Sequence, residues 1–129
     1  MIKRIVLCIA TVAMLTVTTG LLAGEARPFD REVFTKAQME GKTVLVDFHA
    51  TWCPVCKKQA TAIPQVLKEE QFKDVVALTA DYDMEKELKK QLKVNGQSTL
   101  VVFKGDKEVA REQGITSAAA ISKLLAKGL

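Results

Sequence analysis

Histidine, tryptophan and tyrosine occur once each in this 129-residue chain, and cysteine only three times. Aromatic residues make up 5% of the sequence and none is interleaved with a basic stripe, which argues against a nucleic-acid-binding surface. Charge of one sign is also scarce. The net charge is +4, and basic residues alternate with acidic ones along most of the chain, as in residues 84–93. That run reads as a solvated helix face with charge pairs about one turn apart. No internal repeat, low-complexity run or interdomain linker is present. A chain of this length that is 48% hydrophobic suits one compact domain plus an appendage.

The appendage is at the start. Lys3 and Arg4 precede a nearly uncharged stretch over residues 5–24, and small residues follow. A basic head, an apolar body and a small-residue exit describe a secretory signal peptide over residues 1–26. Gly24 and Ala26 suit the two recognition positions, and cleavage after Ala26 is favoured over Ala23. Residue 25 is Glu and not Cys, which argues against a lipid anchor. An uncleaved membrane anchor is the alternative, because about twenty apolar residues span a bilayer. Thr16, Thr18, Thr19 and Gly20 weaken it as a permanent span. Both readings place residues 27–129 outside the cytoplasm, in the periplasm.

Export leaves Cys53 and Cys56 as the cysteines of the mature domain, since Cys8 departs with the signal segment. Two cysteines three apart form a disulfide in an oxidising compartment unless something keeps them reduced. A staple across so short a loop adds little stability, because the entropic gain grows with loop length. The spacing makes better sense as chemistry. A zinc site needs about four ligands, and the mature chain offers two cysteines and one histidine. A soft metal held by the two thiolates is the stronger metal alternative. His49, Met39 and Met84 are its other candidate ligands, and no feature of the sequence brings them together. No metal ligand set is therefore assigned.

Periodicity predicts the remaining elements. Residues 30–40 read as a helix capped by Asp30 and ended by Gly41, with Val33, Phe34, Ala37 and, at its end, Met39 as candidates for its apolar side. Residues 43–49 are β-rich and nearly all apolar, as in a strand buried on both faces. A helix begins around Cys53 and runs to about Ala62, where Pro64 interrupts it and starts a second short helix over 65–70. Residues 74–79 form another strand and residues 83–93 the charged helix. Residues 99–103 form a third strand, and Gly105-Asp106 turns into a fourth over 107–111. Ser117 or Thr116 caps a last helix over 118–127. Early βαβ units followed by a hairpin imply an α/β fold with a mixed four-stranded sheet and helices on both faces.

Cys53 falls where a buried strand hands over to a helix. Unsatisfied backbone N–H groups and the helix dipole there favour negative charge on its sulfur. Cys56, three residues on, lies within disulfide reach, since Cα atoms so spaced on a helix are about 5 to 6 Å apart. Pro54 in the first turn loses no hydrogen bond and stiffens the loop. An exposed Cys53 would form the mixed disulfide with a substrate and a shielded Cys56 would resolve it.

Val44-Leu45-Val46-Asp47-Phe48-His49-Ala50-Thr51-Trp52-Cys53-Pro54-Val55-Cys56-Lys57 resembles the active-site strand, turn and helix of the thioredoxin family. The later Val94-Asn95-Gly96-Gln97-Ser98-Thr99-Leu100-Val101-Val102-Phe103-Lys104-Gly105 resembles the family's second active-site loop and following strand. The similarity covers nearly all of the mature chain. The stretch around Pro64 and residues 79–83 is more similar to exported relatives, such as the C-terminal domain of the transmembrane thiol:disulfide interchange protein. The resemblance implies a thioredoxin fold and a protein thiol–disulfide oxidoreductase, more a reductase than an oxidase, with Cys53 as nucleophile and Cys56 as resolving thiol. Asp47 matches the family's buried acid, whose desolvated carboxyl would take up and return the Cys56 proton. Trp52, Pro54, Gln97 and Ser98 would meet the substrate. His49 takes a place usually aromatic and reads as a packed or half-exposed histidine. No cofactor is implied. The expected partners are disulfide-bearing proteins and a membrane or extracytoplasmic thiol electron donor, with the protein itself a monomer and no nucleic acid involved.

One position departs from the family. Its members usually carry a cis-proline immediately before the third strand, and this chain has Ser98 there. A cis bond before serine costs about 3 kcal/mol or more, against under about 1 kcal/mol before proline. Either the Gln97–Ser98 bond is cis at that cost or the loop is trans and differently shaped; because every neighbouring residue fits the family, cis is favoured. The serine hydroxyl could then hydrogen-bond a thiolate or the substrate backbone. The alternative from another class, a metal-binding or metallochaperone module, would use the same cysteine pair.

Overall fold

The structure, a computed structural model, describes residues 24–129. The expected signal segment, including Cys8, lies outside the described residues apart from residues 24–26. The chain runs β1 (Arg27–Pro28), α1 (Arg31–Met39), β2 (Thr43–His49), α2 (Pro54–Leu67), a single 3₁₀ turn (Glu70–Phe72), β3 (Val76–Asp81), α3 (Lys86–Leu92), β4 (Thr99–Lys104), β5 (Lys107–Gln113) and α4 (Ala118–Ala126).

The sheet has five strands in the order β1-β3-β2-β4-β5, one more than the four expected. The added strand is β1, two residues pairing parallel to β3 through Arg27 and Pro28. Nothing so short shows a period, and proline at a sheet edge is tolerated because its missing N–H faces no partner. β2 lies in the middle, parallel to β3 and antiparallel to β4. The β2–α2–β3 unit therefore crosses over, and the crossover lays α2 on the sheet directly behind the end of β2.

Alternation along β2 explains both cores. Val44, Val46 and Phe48 pack with Phe34 and Ala37 of α1 and Leu88 of α3. Leu45 turns the other way and packs with Ala62, Ile63 and Val66 of α2 and with Ile121, Leu124 and Leu125 of α4. Asp47, two residues beyond Leu45, shares that second face.

α2 corrects one expectation. It is continuous from Pro54 to Leu67 with Pro64 inside it, so no second helix starts at residue 65. A proline within a helix costs about 3 kcal/mol. The residues around it, Ile63, Val66 and Leu67, are all buried. Each buried side chain of that size contributes about 1.5 to 3 kcal/mol, and only the uninterrupted helix buries all three. α3 begins later than expected because the Asp81 carboxylate accepts from the N–H groups of Asp83 and Met84 at 2.9 and 3.0 Å, holding a turn first. α1 and α4 have the caps expected of them, Asp30 accepting from Val33 N–H and Ser117 from Ala120 N–H.

Candidate active site: the dithiol and the loop facing it

Both cysteines stand at the start of α2. Cys53 is its N-cap residue in extended geometry, and Pro54 occupies the first turn, where no N–H is needed. The N–H of Cys56 donates to Cys53 Sγ at 3.1 Å, so the orphan donor of the helix start points at that sulfur. The two sulfurs are unbonded and form, with Ala50, a small buried cluster flanked by Val55 and Tyr82. Cys56 is shielded as expected. Cys53 is not exposed as expected: it is only 2% accessible. Capping the helix turns its side chain back over the first turn, against the cluster.

Burial pushes the Cys56 thiol up to about 11, and the hydrogen bond and charge of Cys53 push the same way. Backbone hydrogen bonding from Ala50 and Ser98 pulls it partly back. Asp47, 3% exposed, is pushed from 3.8 up to about 7 by desolvation. Its Oδ1 has no hydrogen-bond partner. It lines a cleft of about 480 Å³ together with His49, Thr79, Ala60, Ile63, Pro64 and Lys68, and residues 24–26, the end of the expected signal segment, form the remaining wall. His49 is half-buried there. On α2, Ala60 is one turn beyond Cys56 on the same side, so the cleft opens along the helix stripe that carries Cys56 at its start.

Trp52 is 57% exposed beside the dithiol, and its indole N–H donates to Asp83 Oδ2 at 2.9 Å. Pro54 is exposed next to it. Gln97 is half-buried, and its carbonyl accepts from Gln113 Nε2 at 3.2 Å. Ser98 is brought against the dithiol, and here the expectation of a cis bond is corrected. No cis peptide bond occurs among the described residues, and Ser98 has a left-handed φ of 58°. A left-handed serine costs about 1 to 2 kcal/mol, less than a cis bond before serine. The hydrogen bonds recorded for Ser98 are all made by its backbone. Its hydroxyl makes no hydrogen bond to either sulfur.

Two polar partners escaped the sequence reading. Asp83, which holds Trp52, is separated from it by 31 positions, and nothing in the sequence pairs them. Gln59 is fully buried on α2. Its place on the stripe between Cys56 and Ile63 was the available signal, a polar residue where the helix pattern asks for an apolar one. Among the described residues no three His, Cys, Asp or Glu side chains come together in a way that could hold a metal.

The chain matches the Thioredoxin family over residues 23–127. It is 38% identical over 78 residues to Thioredoxin-2 of Saccharomyces cerevisiae, an alignment covering 60% of this chain and 73% of that one. It is 36% identical over 84 residues to the thioredoxin of Chlamydia trachomatis, covering 65% and 80%. The crystal structure of Trxlp from Edwardsiella tarda EIB202 superposes with a TM-score of 0.75 at 36% identity, covering 78% of this chain and 98% of that one. A dithiol capping a helix behind a buried strand, on a sheet of this order and with these relatives, identifies a thiol–disulfide oxidoreductase acting on protein disulfides: the chain belongs to the thioredoxin family.

Proposed function

We propose that the protein is an exported thioredoxin that reduces disulfides in extracytoplasmic proteins and is itself re-reduced by a membrane or extracytoplasmic thiol donor. The direction of electron flow rests on one observation, the Asp47 carboxyl buried on the β2 face that packs against the dithiol helix with its Oδ1 unpartnered, where desolvation pushes it up to about 7. Export rests on the character of residues 1–26.

The steps follow from the asymmetry of the pair. Cys53 thiolate attacks one sulfur of the substrate disulfide, an S–S bond forms, and the other substrate sulfur leaves as thiolate. Cys56 stays protonated until then, because burial and the neighbouring Cys53 both hold its proton. Once the Cys53 sulfur is bonded to substrate, its hydrogen bond and charge no longer oppose ionisation of Cys56. The proton passes to Asp47 through water admitted by the cleft, since no hydrogen bond joins Oδ1 to the thiol. Cys56 then attacks Cys53 Sγ, the bond to substrate breaks, and the substrate leaves reduced by two electrons. The protein carries the Cys53–Cys56 disulfide, and the external thiol donor returns the electrons.

Equilibration with glutathione tests the direction. A potential near about −270 mV supports a reductase, and one near about −120 mV overturns it in favour of an oxidase. Cell fractionation tests export, together with N-terminal sequencing of the mature chain, which should begin at Arg27. Recovery of the chain with residues 1–26 intact in the cytoplasm would refute it.

A further inference from the structure

Gln59 is a buried polar side chain of the dithiol helix that the chemistry above does not use. It lies one helical turn beyond Cys56 and is 0% exposed. An amide in such a place is unfavourable unless its groups find partners. Its Nε2 donates to the carbonyl of Ser98 at 3.1 Å and to the carbonyl of Ile115 at 2.9 Å, using both hydrogens. The reverse orientation would set Oε1 against two carbonyl oxygens, so the chemistry admits only one. Even so Oε1 remains without a partner. An apolar side chain would avoid that penalty, so the amide is retained for what its donors hold.

They hold the loop facing the dithiol. The N–H of Ser98 donates to Phe48 O at 2.8 Å, and its carbonyl accepts from Gly114 N–H at 3.0 Å as well as from Gln59. A serine keeps a φ of 58° only where its surroundings impose it. Of these three bonds, the one from Gln59 alone comes from the helix that carries the cysteines. Gln59 thus ties the Ser98 peptide to α2 one turn from Cys56, and the Ser98 backbone offsets part of the effect of burial on that thiol.

We propose that Gln59 is a positioning residue for the resolving thiol, its carboxamide fixing the Ser98 peptide against Cys56 in the place of the loop proline this chain lacks. The proposal rests on Cys56 being the thiol that resolves the mixed disulfide. Cys53 makes its attack from the helix N-cap, where its sulfur accepts from the Cys56 N–H and has no hydrogen bond to the Ser98 loop.

The test separates the two steps. Mixed-disulfide formation is timed in a Cys56→Ser background, and resolution is timed in the intact dithiol protein from pH 5 to 9. Gln59→Met, close in shape, is expected to slow resolution about tenfold and move its pH profile upward, while formation stays within about twofold. Adding Ser98→Gly, which reaches the left-handed region without strain, should return part of the lost rate. Gln59→Glu supplies a second variant. Its carboxylate faces two carbonyls when ionised, so its deficit against wild type should grow as pH rises. Equal losses in both steps, or unchanged resolution in both variants, would overturn the proposal. Wild-type protein that forms the mixed disulfide and never resolves it would instead refute the function on which the proposal rests.

Discussion

Against α1 and α3 the sheet buries Phe34, Val44, Val46, Phe48 and Leu88, and no ionisable group among the described residues. Against α2 and α4 it buries a comparable apolar set, but with Asp47 and Gln59 among it, each with one oxygen that has no partner. The same central strand supplies both faces by alternation. One face is built for cohesion alone. The other accepts unsatisfied polar atoms, Gln59 one helical turn from Cys56 and Asp47 on the strand that leads to the dithiol, where a perturbed carboxyl and a clamped loop are useful. Stability and chemistry are thus divided between the two sides of β2, and substitutions on each side should fail in different ways.

The largest effects belong to the polar face. Cys53→Ser should abolish disulfide reduction in an insulin turbidity assay. Cys56→Ser should retain the first attack and accumulate a mixed disulfide visible by mass spectrometry. A trapped adduct through residue 56 in place of 53 would reverse the assigned roles. On the apolar face, Phe34→Ala removes a ring packed edge-on against Phe103 with centroids 5.4 Å apart. It should cost about 3 to 5 kcal/mol in urea unfolding and leave the reduction potential unchanged. A shifted potential would mean that the two sides are coupled.

Asp47 offers a test in which stability and activity move in opposite directions. Its carboxyl titrates at about 7 in the folded protein against an ordinary 3.8, because burial disfavours the charge. The folded state therefore holds this proton more tightly than the unfolded chain. The corresponding stability is fully present below about pH 4 and is lost as pH rises through about 7, a change of about 4 kcal/mol. Asp47→Asn should match the wild type near pH 4, exceed it in stability at pH 8, and slow resolution of the mixed disulfide. Equal unfolding profiles at both pH values would contradict the burial account. The smallest effect concerns Asp83→Ala, which frees the Trp52 indole. An exposed hydrogen bond contributes about 1 kcal/mol or less, so unfolding should barely change while KM for a protein substrate rises a few-fold.

Much of this was legible beforehand. The apolar run of residues 43–49, the Asp30 and Ser117 caps, and the Gly105-Asp106 turn all act locally, and each element appears where its own residues predict it. The dithiol was legible for the same reason, since three-residue spacing at a helix start is a local property. β1 was not, because two residues without a period become a strand only when β3 is there to pair with them. The unbroken α2 was not, because the residues that outweigh Pro64 do so through contacts with the sheet and α4.

The sequence by itself determined that two cysteines stand three apart at a helix start, that a carboxyl lies on the strand before them, and that a serine immediately precedes β4. Tertiary structure decided how those parts are set. It buried Cys53 beneath its own cap, kept the Gln97–Ser98 bond trans with Ser98 left-handed, and joined Gln59 to Ser98 across 39 positions. Spacing along the chain governs what one helix or strand can do with its own backbone. Desolvation and hydrogen bonds between distant segments exist only once the layers have packed, and those are what distinguish the two thiols and shape the loop that faces them.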